Sequence, residues 1–175
     1  MLRILTRSLR VGTVTEAPPR CDDTVVEALG IQVRRVLTER FAGALAIRQV
    51  DAGSCNGCEL EIHALNNAFY DVERFGVHFV ASPRHADALL VTGPVSRHME
   101  TALRRTYEAT PAPRLVIAAG TCACDGGEFG VSYASCGAVA NVIPVDVTVP
   151  GCPPTPEALL RGILRATEGR SRGRR

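Results

Sequence analysis

Lysine is absent from this chain: all 20 of its basic residues are arginine. Set against 18 acids they leave a net charge of +2. Tryptophan is absent too and aromatics make up 5%, so the dense basic face interleaved with aromatics that nucleic-acid binding needs is missing. The excess of alanine, glycine and arginine reads as the coding bias of a GC-rich genome rather than as chemistry. No apolar run approaches the roughly 18 uninterrupted residues of a membrane-spanning helix. The opening MLRILTRSLRVGTVTEAPPR lacks the continuous apolar stretch and small-residue cleavage site of a signal peptide. Internal repeats and low-complexity segments are missing as well. What is there is a globular chain of 175 residues, 46% apolar, long enough for one domain with its own core. It carries seven cysteines. Without a secretory signal these belong to a reducing compartment, where clustered cysteines bind metal more often than they pair as disulfides.

Residues 1–21 read as an arm, polar, proline-bearing and without a clear period. DDTVVEALGIQVRRVLTERFAG then reads as an amphipathic helix, with Thr24 and Glu27 matching a capping box. Val26, Leu29, Val33, Val36 and Leu37 fall on one face; Gly30 weakens the pattern and Gly43 offers a stop. From residue 44 strand and helix alternate. ALAIRQV (44–50), VHFVAS (77–82), ADALLVTG (86–93), RLVIAAG (114–120) and VDVTVPG (145–151) are short apolar runs without strict alternation, as parallel strands covered on both faces require. Between them, ELEIHALNNAF turns Leu60, Ile62, Leu65 and Phe69 toward a core, and RHMETALRRTYEA does so with Met99, Ala102, Leu103 and Tyr107. TPEALLRGILRAT opens with Thr155 as N-cap and Pro156 at the first helical position. The expected fold is a doubly wound α/β sheet with right-handed crossovers. The expected division is an arm and amphipathic docking helix (1–43), an α/β domain (44–168) and a basic tail (169–175).

On this reading Cys55, Cys122 and Cys152 each follow the C-terminal end of a parallel strand, the edge at which open α/β sheets build their sites. With Cys58 of the C-x-x-C, four thiols distant in sequence converge. Each lies in glycine-bearing backbone (AGSCNGC, AAGTCACDGG, VPGCPP) that allows tight turns and lets N–H groups approach a bulky anion. Four thiolates suit structural zinc or an iron–sulfur cluster; a thioredoxin-type dithiol at Cys55 and Cys58 leaves the other two unexplained. A helix starting near Cys58 points its positive end at whatever negative site the thiolates form. Cys124 is the nearest competitor of Cys122, Cys136 is another thiol close by, and Cys21 lies outside the pattern; packing is the expected role of all three.

CNGCELEI, DVERFGVHFVASPRHADALLVTGPV, ALRRTYEATPAPRLVIAAGTCACDGG and IPVDVTVPGCPPTPEALLRGIL together resemble the 20-kDa subunit family shared by respiratory complex I and the small subunits of [NiFe]-hydrogenases, over roughly residues 44–167. The spaced C-N-G-C is similar to that of membrane-bound, formate-hydrogenlyase-like hydrogenases, where complex I proper has two adjacent cysteines. The opening LRILTRSLRVGTVTE resembles the arm of the hydrogenlyase-type subunits. The resemblance implies a flavodoxin-like fold with a cluster where flavodoxins hold FMN; no phosphate-cradling loop is evident, so no flavin is expected. Carried over by position, the ligands of one [4Fe–4S] cluster fall on Cys55, Cys58, Cys122 (of G-x-C-A) and Cys152 (of P-G-C-P-P). Too few cysteines remain for a second four-cysteine cubane.

The implied role is an electron relay, not a complete enzyme. It would join a [NiFe]-type large subunit to a ferredoxin-like iron–sulfur subunit, in an assembly held by membrane anchor subunits. The chain itself would be peripheral, on the cytoplasmic face of the inner (plasma) membrane. A complex I-like NADH/quinone dehydrogenase without hydrogen chemistry is the alternative within the family; a zinc-stabilised assembly scaffold is the alternative from another class. Glu59 and Asp125 could relay protons or adjust the potential, but read more simply as a helix N-terminal acid and a turn former. His85 reads as a hydrogen-bonded structural residue. Nothing marks His63, His78 or His98 as a ligand.

Overall fold

Each of the five apolar runs forms a strand in the computed structural model, which describes residues 2–11 and 23–169. The strands are β1 (Leu45–Asp51), β2 (Val77–Phe79), β3 (Ala88–Thr92), β4 (Leu115–Ala119) and β5 (Val147–Val149). All neighbours pair in parallel, in the order β2-β1-β3-β4-β5, which is the flavodoxin-like order of doubly wound sheets. The helices are α1 (Leu2–Val11), α2 (Asp23–Arg40), α3 (Gly57–Ala64), α4 (Arg97–Ala109), α5 (Thr121–Asp125) and α6 (Pro156–Glu168).

The missing alternation in the strands has the expected cause. β3 and β4 are buried along their whole length, and their successive side chains enter two different cores. Leu90, Leu115 and Ile117 join Val33 and Leu37 of α2, Ile62 of α3, and Leu159, Leu160 and Ile163 of α6. Leu89, Val91, Val116 and Ala118 face the other way, with Leu103 of α4 and Ala123 of α5. Helices thus cover both faces of these two strands, and residues of either parity enter an apolar core.

Several local expectations hold. Thr155 caps α6 by accepting the Ala158 N–H, with Pro156 at its first position. Val26, Val33 and Leu37 are buried on one face of α2, with Leu29 and Val36 partly so. Others need correction. Residues 2–11 are not an irregular arm but the helix α1. Its Leu2, Leu5 and Leu9 recur at helical spacing opposite Arg3, Arg7 and Arg10, a period that the proline-bearing stretch after it obscures. Thr24 lies within α2 rather than capping it, and Glu27 pairs with Arg74 at 2.9 Å. α3 ends at Ala64, and its buried residues are Glu59 and Ile62. Leu60 is turned out, 62% exposed, and Phe69 lies beyond the helix, 42% exposed, where Asn67 Oδ1 accepts its N–H. In α4 Leu103 is buried and Met99 and Tyr107 are half-buried, but Ala102 is exposed. Cys21 and the tail beyond Gly169 lie outside the described residues.

Two helical glycines are there for room. A Cβ on Gly30 of α2 would run into the Phe75 ring, and one on Gly162 of α6 into Val149 Cγ2. By helix propensity alone, alanine at such a position stabilises by up to about 1 kcal/mol. Here overpacking dominates, and Gly30→Ala and Gly162→Ala are each expected to destabilise by about 1–3 kcal/mol. Denaturant midpoints check this; a raised midpoint in either variant contradicts the packing described.

Candidate metal centre

The strand register places the site. Asp51 pairs with Thr92, Thr92 with Ala119 and Ala119 with Val149, so β1, β3, β4 and β5 end abreast. Cys122 and Cys152 each follow three residues after such an end, on strands that are direct neighbours. Their turns are stitched together: the Thr121 N–H donates to Gly151 O at 2.8 Å, the Gly120 N–H to Val149 O at 2.8 Å, and the Gly151 N–H to Thr121 Oγ1 at 3.3 Å.

Cys55 and Cys58 have farther to come, because β3 lies between β1 and β4; two strand spacings amount to about 10 Å. The loop after β1 makes the crossing over the end of β3. Ala52 donates its N–H to Thr92 O at 3.1 Å and accepts from the Ser96 N–H at 2.8 Å. The Asp51 carboxylate receives the Gly53 and Ser54 N–H groups, both at 2.8 Å. Gly93 has φ +73°, and a Cβ there would stand 2.5 Å from the Ser54 nitrogen. Only a glycine lets the loop pass this close. The landing is equally tight: a Cβ on Gly120 would meet Cys58 Sγ at 2.5 Å, and one on Gly127 would meet Cys122 Sγ at 2.9 Å. Cys55 Sγ lies by Gly57, which in turn faces Pro153, next to Cys152.

The electrostatics reflect the same convergence. Burial, the Glu59 carboxylate, and then Cys55, Cys122 and Cys152 push the Cys58 thiol up to about 11. Cys122 is raised by burial and by Cys152 and Cys55. The four sulfurs therefore lie within a common field, and ionising them together is unfavourable until a positive metal centre takes up the thiolates. α3 and α5 both begin at this edge without a side-chain cap. At α5 the Thr121 N–H goes to Gly151 O and the Ala123 and Cys124 N–H groups to Gly120 O, so it is the start of α3 that presents first-turn N–H groups to the sulfurs. Four thiols with backbone donors around them are a donor set for zinc or for an iron–sulfur cluster. Among the described residues, no three His, Cys, Asp or Glu side chains stand ready around a single ion.

The remaining thiols are placed otherwise. Cys124 Sγ donates to the Ala118 carbonyl at 3.6 Å, back toward the sheet, although it lies close enough to Cys122 to feel its charge. Cys136 is buried, its Sγ 3.3 Å from Glu100 Oε2. Asp125 is the turn former expected of it, accepting the Gly127 N–H at 2.8 Å. All four histidines are exposed, which corrects the expectation of a structural, hydrogen-bonded His85; at that turn the bonding is done by Ser82, whose Oγ accepts the Arg84 N–H.

Sequence reasoning picked out Glu59 but missed its burial, and it missed one feature of the backbone. Glu59 is 5% exposed with neither carboxylate oxygen hydrogen-bonded; its spacing of three from Ile62 was the available signal. The loop crossing was also missed, though an aspartate two residues before a glycine at a strand end is an Asx-turn signature.

Residues 55–166 match the family described as NADH ubiquinone oxidoreductase, 20 Kd subunit. The chain is 52% identical over 119 residues to a probable membrane-bound hydrogenase subunit of Pyrococcus furiosus, covering 68% of this chain and 71% of that protein. It is 42% identical over 143 residues to formate hydrogenlyase subunit 7 of Escherichia coli, covering 82% and 56%. To an NADH-quinone oxidoreductase subunit of Desulfovibrio desulfuricans it is 51% identical over 111 residues, covering 63% and 60%. The chain thus spans little more than half the length of the last two. Among solved structures, a chain of an archaeal membrane-bound sulfane sulfur reductase superposes with a TM-score of 0.63 at 38% identity, over 71% of this chain and 69% of that one. With the fold, the cysteine edge and a family match extending from Cys55 into α6, this chain belongs to the family of the NADH ubiquinone oxidoreductase 20 Kd subunit.

Proposed function

We propose that this chain is an electron-relay subunit holding one [4Fe–4S] cluster through Cys55, Cys58, Cys122 and Cys152, in a membrane-associated [NiFe]-hydrogenase-like oxidoreductase complex. The observation that carries the reading is the meeting of these four thiols within a common field at the ends of β1, β4 and β5. The coarser setting follows from the family, whose members serve in membrane-bound hydrogenase and complex I-like assemblies.

Bound there, such a cluster supplies a one-electron site whose potential follows burial, amide hydrogen bonds and nearby charge. The rest is the work of this chain's own residues. Asp51 and Gly93 hold the loop that brings Cys55 and Cys58 across β3, and Thr121 ties the Cys122 turn to the Cys152 turn. The first turn of α3 offers N–H groups to sulfur. Cys55 and Cys152 are exposed, which puts the site at the surface, within reach of a docked partner. Leu60 close after Cys58, and Phe129, Val131 and Tyr133 on the segment after α5, are 62%, 61%, 70% and 98% exposed. Large apolar side chains beside an exposed site are surface for a partner to cover, here a [NiFe]-type large subunit on one side and a ferredoxin-like subunit on the other. In this reading residues 1–43 serve docking, 44–168 hold the cluster, and membrane anchor subunits keep the peripheral assembly on the cytoplasmic face of the inner membrane.

A second reading has a specific support: the 51% identity to a subunit of an NADH-quinone oxidoreductase. The spaced C-N-G-C favours the hydrogenase. The deciding experiment is hydrogen-dependent viologen reduction by the intact complex, tagged through this chain and purified anaerobically in mild detergent. Activity is expected in the wild type and a fall to background in Cys152→Ala, with loss of the reduced cluster's EPR signal. A complex that keeps the EPR signal but reduces no viologen with hydrogen sinks the hydrogenase and leaves the dehydrogenase. Zinc in place of iron and acid-labile sulfide sinks both, in favour of a zinc-stabilised assembly scaffold.

A further inference from the structure

Helix α1, LRILTRSLRV, contributes no residue to the cysteine edge. By helical spacing, positions 3, 7 and 10 form one stripe, all arginine, and positions 2, 5 and 9, all leucine, lie on the other side. Arg7 and Arg10 are exposed, and so are Leu9 at 84% and Val11 at 54%. A single exposed leucine is ordinary. A ten-residue helix containing Ile, Thr and Val is marginal in water on its own propensity, and gains most of its stability from a surface that takes its apolar face.

The charges say what kind of surface. In α2, α4 and α6, arginines pair with a glutamate four residues away on the same helix: Arg35 with Glu39, Arg104 with Glu100, Arg161 with Glu157. α1 contains arginine and no acid at all. A leucine stripe with charge of one sign, unpaired along its own helix, complements a sheet of anionic headgroups over an apolar interior. There long arginine side chains reach back to the phosphates while leucine enters the acyl boundary. Among the described residues no helix is long and apolar enough to cross a membrane, so such a contact is interfacial.

We propose that α1 lies in the plane of an anionic bilayer and gives this chain a lipid contact of its own, independent of any membrane subunit. The inference goes beyond the relay reading and does not need it, since vesicle binding involves neither cluster nor electron transfer.

The test is co-flotation of the full-length chain with vesicles of equal parts phosphatidylglycerol and phosphatidylcholine, against vesicles of phosphatidylcholine alone. Binding to the anionic vesicles is expected, weaker at high salt, with Arg7→Gln and Arg10→Gln each lowering the partition about fivefold. Leu9→Glu should abolish it. These side chains are exposed, so an unchanged denaturant midpoint separates lost binding from lost folding. Removal of residues 170–175 should leave binding intact. The proposal is overturned if the wild type does not bind, if both kinds of vesicle bind it equally, if the α1 variants bind like the wild type, or if binding follows the tail. It is overturned also if the variants keep vesicle binding but lose their partner subunits, for then a protein groove is what α1 occupies.

Discussion

Parallel strands that end abreast are the constraint on which the rest of this molecule depends. Hydrogen-bond register brings Asp51, Thr92, Ala119 and Val149 to one line, so turns separated by up to about a hundred residues open at one edge. The order β2-β1-β3-β4-β5 then creates a difficulty, because the strand that precedes the C-x-x-C is not a neighbour of the strands that precede the single cysteines. The solution is a loop laid over the end of β3, held by the Asp51 carboxylate and admitted by the missing side chain of Gly93. The covalent spacing C-x-x-C supplies one pair, adjacent strands supply the other, and the crossing brings both pairs to one edge.

The edge is costly without a metal centre. The Cys58 and Cys122 thiols are pushed up by burial and by the neighbouring cysteines, and Glu59 adds a buried carboxylate with no hydrogen-bond partner. Such groups are tolerated where function requires them and the surrounding core can carry the cost. The apolar layers on the two faces of the sheet do so here, anchored by fully buried Leu90 and Ile117 on one side and Leu89 and Leu103 on the other. The surface of this edge is as unfinished as its thiols: Cys55 and Cys152 are exposed, and so are Phe129, Val131 and Tyr133 on the segment after α5. Both are what a subunit has when its surroundings are completed by others.

The sequence makes the strands readable for a physical reason. Runs such as ALLVT and LVIAA are apolar without alternation because both faces are covered, and their shortness and flanking glycine or proline favour a buried strand over a helix. Cysteines just beyond such runs were therefore placed correctly at the sheet edge. What the sequence hid depends on where helices start and stop. α3 is rotated so that Glu59 and Ile62 face in and Leu60 faces out, and it stops at Ala64, short of Phe69; a start at Asp23 moves Thr24 off the cap. Gly30 looks like a flaw in a helical pattern until the Phe75 ring is found against it. Such partners are distant in sequence, and no local pattern announces them.

The central claim is that four cysteines, and these four, make a complete site. It is tested most directly in the complex carrying Cys21→Ala, Cys124→Ala and Cys136→Ala together, by iron and acid-labile sulfide content and the reduced-state EPR spectrum. The account predicts one cubane's iron and sulfide per chain and the wild-type spectrum. A cluster lost or altered in that variant, while the complex remains assembled, would show that a thiol outside the four is a ligand.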